Sequence, residues 1–112
     1  MKKEQRIKKN SEFSAVFTHG KSFANRQFVL YVLPKEGQTQ FRVGLSVSKR
    51  VGHAVCRNRI KRLIRAAFQE LGLRLRFNYD YVVIARKPSS NLNFLETKSS
   101  LCHVMKKANV IQ

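Results

Sequence analysis

At 112 residues the chain has the length of one domain, with room for one modest core and not two. Apolar residues make up 43% of it, which excludes a disordered basic tail, and no apolar run approaches the roughly 18 residues of a membrane span. The net charge of +17 repels itself in any compact state and calls for a polyanionic partner, either nucleic acid or an anionic membrane.

Met1-Lys2-Lys3 opens like a signal peptide, but Glu4-Gln5-Arg6 stands where an apolar stretch would be needed. The reading is therefore a cytoplasmic protein in a reducing compartment, with Cys56 and Cys102 unpaired. Residues 2–9 carry five Lys/Arg and one Glu. They read either as a frayed, solvated terminus or as an arm lying along phosphates. Residues 1–9 are expected as a flexible basic arm on a single domain spanning 1–112.

Asn10-Ser11 has the chemistry of a helix N-cap, Glu12 suits the first turn and Gly20 the stop. Phe13, Val16 and Phe17 share one face of that helix. A short strand is expected near Ser22–Asn25. Phe28 to Leu33 is apolar on both faces and ends at Pro34, so it reads as a strand with little exposure. Phe41, Val43, Leu45 and Val47 alternate with Arg42, Gly44, Ser46 and Ser48, a period-two strand over 41–48. Gly52 breaks the path before a helix at about 54–71. Asn78-Tyr79-Asp80 leads into a strand at Tyr81–Ala85. Asn93 with Glu96 fits a capping box for a last helix, whose inner face would be Leu95, Leu101, Cys102 and Met105. The order is α-β-β-β-α-β-α. The fold class is α+β: a single small mixed sheet of about four strands packed with helices, the strands flanking helix 54–71 being parallel neighbours.

Helix 54–71 holds the clearest functional signal. Ile60, Leu63, Ile64, Ala67, Phe68 and Leu71 gather on one side at about 100° per residue and must face the sheet. Arg57, Lys61 and Arg65 form a four-residue ladder on a flank, with Asn58 and Arg62 beside it and Arg59 further round. Solvated helix faces normally mix signs, because like charges at i,i+4 destabilise. Here eight Lys/Arg fall between Arg42 and Arg65, and no acid occurs from Gly37 to Gln69. Such a face suits phosphates, which guanidinium forks bind bidentately. A membrane-surface helix would instead need its apolar side for lipid, and that side is committed to the strands.

A second surface combines Arg42, Ser46 and Ser48 with Tyr31 on a neighbouring strand and Phe13 and Phe17 on the first helix. Aromatics beside cations stack unpaired bases; paired Phe on an amphipathic helix is equally a core feature. Catalytic chemistry is absent from the pattern. The acids Glu4, Glu12, Glu36, Glu70, Asp80 and Glu96 are scattered, and His19, His53 and His103 lack partners at ligand spacing. Residue patterns alone give a polyanion-binding domain with neither a catalytic nor a metal site. Three classes stay open: a ribonucleoprotein subunit, a general structured-RNA binder of ribosomal or chaperone type, and a DNA-binding domain using helix 54–71.

The stretch Arg42-Val-Gly-Leu-Ser-Val-Ser-Lys-Arg-Val-Gly-His-Ala-Val-Cys-Arg-Asn-Arg-Ile-Lys-Arg-Leu-Ile-Arg65 closely resembles the signature of the bacterial ribonuclease P protein subunit. Phe13-Ser-Ala-Val-Phe17 with Gly20, Ala24-Asn-Arg-Gln-Phe-Val-Leu-Tyr31 and Tyr81-Val-Val-Ile-Ala-Arg86 match the family in order, so the likeness runs from about residue 6 to 107. The resemblance implies a small protein that supports an RNA enzyme in removing the 5′ leader from precursor tRNA and is inactive alone. It implies that Lys49, Arg50, Arg57, Asn58, Arg59, Lys61, Arg62 and Arg65 contact the catalytic RNA. Phe13, Phe17, Tyr31, Arg42, Ser46 and Ser48 would line a groove for the single-stranded leader. It further implies Mg2+ held mainly by the RNA, no membrane or protein partner, and a left-handed crossover through helix 54–71, against the usual rule.

Overall fold

A computed structural model describes residues 1–112. Four strands, β1 (Lys21–Ala24), β2 (Phe28–Pro34), β3 (Arg42–Ser46) and β4 (Tyr79–Ala85), form one sheet in the order β1-β2-β4-β3. β2 pairs antiparallel with both β1 and β4, whereas β3 pairs parallel with β4. The crossover between those two is the helix α2 (Ala54–Leu71), as the sequence predicts. Helix α1 (Asn10–His19) lies on one face of the sheet, and α2 with α3 (Phe94–Lys107) covers the other.

Strand alternation sorts the side chains. Phe28, Leu30 and Val32 of β2, Val43 of β3 and Tyr81, Val83 and Ala85 of β4 enter one core with Ile60, Ile64, Phe68 and Leu71 of α2 and Leu101, Val104 and Met105 of α3. Phe41, Phe68 and Tyr81 pack mutually there in tilted and edge-to-face pairs, with ring centroids 6.0–6.1 Å apart. The Tyr81 hydroxyl donates to the Arg76 carbonyl at 2.8 Å, and burial pushes its ionisation well above the ordinary phenol range. On the opposite face Ile7, Val16 and Val82 form a smaller core with Phe13, Tyr31 and Leu33 against it.

Magnitudes explain why α2 forms despite its charges. Burying Ile60, Ile64, Phe68 and Leu71 contributes roughly 6–12 kcal/mol as an upper figure. The two like-charge contacts of its ladder oppose this by only about 0.4–1 kcal/mol.

Four sequence expectations shift. The helix α1 begins at Asn10 with Lys9 at its cap and no side-chain cap, so neither Asn10 nor Ser11 serves. The strand expected over 41–48 is regular only over Arg42–Ser46; Val47 stays buried while Ser48 enters an exposed turn. Leu95 is 72% exposed, and Thr97, Leu101, Val104 and Met105 form the inner face of α3. Two residues along a helix turn through about 200°, which sends Leu95 away from Thr97. The basic leader is anchored: Ile7 is buried, its N–H donates to the Val43 carbonyl at 2.9 Å, and Arg6 bridges β3 in parallel.

The capping box at Asn93 and Glu96 is present, with both reciprocal hydrogen bonds at 2.8 and 2.9 Å. Asn93→Ala is expected to lower stability by about 1 kcal/mol in urea denaturation; an unchanged midpoint would show that α3 does not rely on this cap.

Candidate RNA-binding surfaces

The ridge on α2 starts from its apolar face. Because Ile60, Ile64 and Phe68 point at the sheet, the residues between them point outward or to the flanks. Asn58 and Arg62 are exposed, while Arg57, Arg59, Lys61 and Arg65 are half-buried along their stems. The three ion pairs of the molecule are Arg42–Glu12, Arg42–Asp80 and Lys98–Glu70, so none involves an α2 cation. Arg59 donates to the Leu92 carbonyl at 3.0 Å, and Arg57 Nε is enclosed without a hydrogen-bond acceptor. Desolvation, with Arg6 nearby as a second like charge, lowers the Arg65 guanidinium from its ordinary value. No acid occupies the first turn, so the cations stand toward the helix end that disfavours them. Lys49 and Arg50, exposed in the turn after β3, extend the ridge, and buried Val51 pins that turn. Six of the eight predicted ridge residues lie on α2, and the other two lie in the turn that precedes it.

The second surface lies on the face that α1 only partly covers. The cross-strand register places Ser22, Tyr31, Val82 and Gly44 in one row, and Ala24, Val29, Ile84 and Ser46 in the next. Helix α1 crosses the first row. Val16 is buried beside Val82, and the Phe13 ring sits so close over Gly44 that a Cβ there would meet its ring carbons at 2.8 Å. Phe17, 41% exposed, meets Tyr31 edge-to-face with centroids 4.9 Å apart, and Phe13 lies 6.3 Å from Phe17. These three rings make a wall beside a floor of Ala24, Val29, Ile84 and Ser46. Gly20 closes the helix against β2, since a Cβ there would lie 2.7 Å from the Val32 carbonyl oxygen. The result is a shallow, open trough that belongs to none of the molecule's enclosed concavities. The largest concavity of the molecule, about 520 Å³ between Leu73 and Gln112, lies elsewhere.

The trough gathers Phe13, Phe17, Tyr31 and Ser46, with Ser48 in the turn just past its end. Sequence reasoning missed Val29 and Ile84, which form its floor. β2 is apolar on both faces because one face enters the core and the other packs in part under α1; Phe28 to Leu33 are buried or partly buried, as expected, and Val29 is part of the partly covered floor.

Arg42 also departs from expectation. Its Nε and one Nη donate to the two carboxylate oxygens of Asp80 at 2.9 and 2.6 Å, and the other Nη donates to Glu12 at 2.6 Å. The hydrogen bonds to Asp80, above all, raise the Arg42 guanidinium further above its ordinary value. Asp80 is 1% exposed, and a buried carboxylate needs such a partner. Arg42 is thus a paired charge and not a free phosphate ligand.

No group of three or more His, Cys, Asp or Glu side chains converges anywhere, and the pair that does meet, Glu12 and Asp80, closes on a guanidinium. That donor set is an ion pair and does not fit a resident magnesium ion. Cys56 and Cys102 are free thiols, as predicted.

The model of the Ribonuclease P family matches residues 1–109. The chain belongs to the ribonuclease P protein family. It is 74% identical over 111 residues to the ribonuclease P protein component of Shouchella clausii, covering 99% of this chain and 91% of that one. The Halalkalibacterium halodurans component is 62% identical, with 100% and 94% covered. The Staphylococcus aureus RNase P protein structure superposes with a TM-score of 0.89 at 44% identity, covering 96% of this chain and 98% of the other. The Thermotoga maritima RNase P protein gives 0.83 at 28% identity, with 91% and 96% covered. The chain is accordingly the protein part of an endoribonuclease holoenzyme that acts in tRNA 5′ processing.

Gly44 tests the wall geometry. Gly44→Ala is expected to lower stability by about 1–3 kcal/mol in urea denaturation, through overpacking against Phe13. In a Phe13→Leu background the penalty should shrink; an equal penalty in both backgrounds would dissociate Gly44 from that ring.

Proposed function

We propose that the chain acts as one RNA-binding domain with two separate duties in the maturation of precursor tRNA. Lys49, Arg50, Arg57, Asn58, Arg59, Lys61, Arg62 and Arg65 dock the catalytic RNA. Phe13, Phe17, Tyr31 and Ser46, over the floor of Val29 and Ile84, hold the single-stranded 5′ leader, with Ser48 at the exit. The observation that carries this reading is a ridge of α2 cations without a carboxylate partner on one side of the sheet, with the partly exposed Phe17 ring against Tyr31 on the other.

Guanidinium forks on a rigid helix fit phosphate oxygens, and a row of cations releases counterions as RNA docks. The trough offers stacking and apolar contact but little base-edge chemistry, which suits unpaired nucleotides of varied sequence. It opens at Ser46–Ser48, where the chain runs directly into Lys49, so a leader in the trough points toward RNA bound on the ridge. The protein side chains supply binding and orientation. The magnesium ions of the reaction are assigned to the RNA, and the protein acts on the reaction by placing the substrate against it. No helix is long and apolar enough to cross a membrane, and we place the protein in the cytoplasm with its RNA.

Reconstitution tests the function. Protein freed of RNA should leave precursor tRNA uncut, and adding the catalytic RNA should restore 5′ cleavage at low magnesium; cleavage by the protein alone would overturn the assignment. The two surfaces should separate by mutation. Arg57→Ala and Arg62→Ala should weaken assembly with the RNA. Phe17→Ala should weaken binding of leader-bearing substrate by about 5- to 150-fold, the worth of one base stacked on an aromatic ring. Equal losses on substrates with and without a leader, in the Phe17 variant, would defeat the assignment of the trough.

A further inference from the structure

The paired Arg42 has a consequence for the trough. Its guanidinium is the only side chain that ties α1 to the sheet by charge: Glu12 belongs to α1, Arg42 to β3 and Asp80 to β4. Glu12 lies one residue before Phe13 and one helical turn before Val16 and Phe17. The remaining attachments of α1 are the packing of Val16 beside Val82, the contact of Phe13 with Gly44, the edge-to-face pair of Phe17 with Tyr31 and the approach of Gly20 to Val32. All of these are apolar or backbone contacts, which have no directional donor–acceptor geometry of their own. The Arg42 fork has such a geometry, because its planar donors fix both the distance and the angle to two carboxylates.

We propose that Glu12, Arg42 and Asp80 form a latch that sets the placement of α1 across the sheet and thereby the width of the aromatic trough. Arg42 is in this view a positioning residue for the leader and makes no phosphate contact of its own. Asp80, buried and bidentate, is the fixed end of the latch; Glu12, with its side chain 29% exposed, is the adjustable end. The inference rests on the trough being the leader site.

The alternative, a guanidinium that contacts leader phosphates directly, makes opposite forecasts. Removing the Glu12 charge would then free Arg42 and tighten leader binding. Under the latch, the same change releases α1 and weakens it. Lysine separates the two again: Arg42→Lys keeps the charge, so a phosphate contact largely survives, but it loses the fork and the latch fails.

The test uses holoenzyme reconstituted with the catalytic RNA. The substrates are precursor tRNA carrying a multi-nucleotide leader and the same tRNA carrying a single leader nucleotide. Wild type should favour the long leader in KM; if it does not, the trough is not the leader site and the functional reading falls first. Given that preference, Glu12→Gln and Arg42→Lys should each raise KM for the long-leader substrate several-fold. kcat and the short-leader KM should stay unchanged. A Glu12→Gln enzyme that binds the long leader as tightly as wild type, or more tightly, overturns the latch. Asp80→Asn is left out because its site is buried; amide exchange in the Glu12→Gln variant supplies the second readout. Faster exchange confined to α1 supports the latch, and unaltered exchange there contradicts it.

Discussion

The burial of one side of α2 against the sheet is the constraint from which the functional surface follows. Ile60, Ile64, Phe68 and Leu71 are committed to the core, so the intervening Arg and Lys have nowhere to go but outward. Their mutual repulsion is small beside the apolar burial, so a rigid helix holds them in a spacing that they would avoid if free. Repulsion that the fold tolerates is then available to be relieved by phosphates.

The other face of the sheet works by contrast. Here α1 covers only part of the surface, and the uncovered strip is apolar and small. One sheet therefore separates two kinds of RNA contact: charge on the helix behind it and stacking on the face in front. β4 joins them, since Tyr81 and Val83 pack toward α2 while Val82 packs under α1 and Ile84 faces the trough. Its central position between β2 and β3, with partners of opposite polarity on its two sides, makes that division of labour rigid.

Much of this was legible in the sequence. The extent of α2, its inner face and its uncompensated ladder follow from a 3.6-residue period and the absence of acids between Gly37 and Gln69. The capping box of α3 was likewise readable from Asn93 and Glu96. The misses share a cause: each depends on which elements become neighbours in space. The partners of Arg42 lie 30 and 38 residues away, so no local pattern marks it as paired. Val29 and Ile84 lie in apolar strands, and such a run does not reveal how far a helix will cover it. Leu95 was apolar on a helix whose inner face was set by Thr97, a residue that composition would place outside. Ile7 looked like part of a solvated arm, yet it completes the small core beneath α1.

The central claim is that the α2 ridge is neutralised by RNA and by nothing within the chain. The most direct measurement is the salt dependence of affinity for the catalytic RNA, compared between wild type and a variant with Arg57, Lys61, Arg62 and Arg65 replaced by Gln. The account predicts that the log–log slope becomes shallower by roughly 0.7–0.9 for each cation removed. A variant that keeps the wild-type slope and affinity would contradict it.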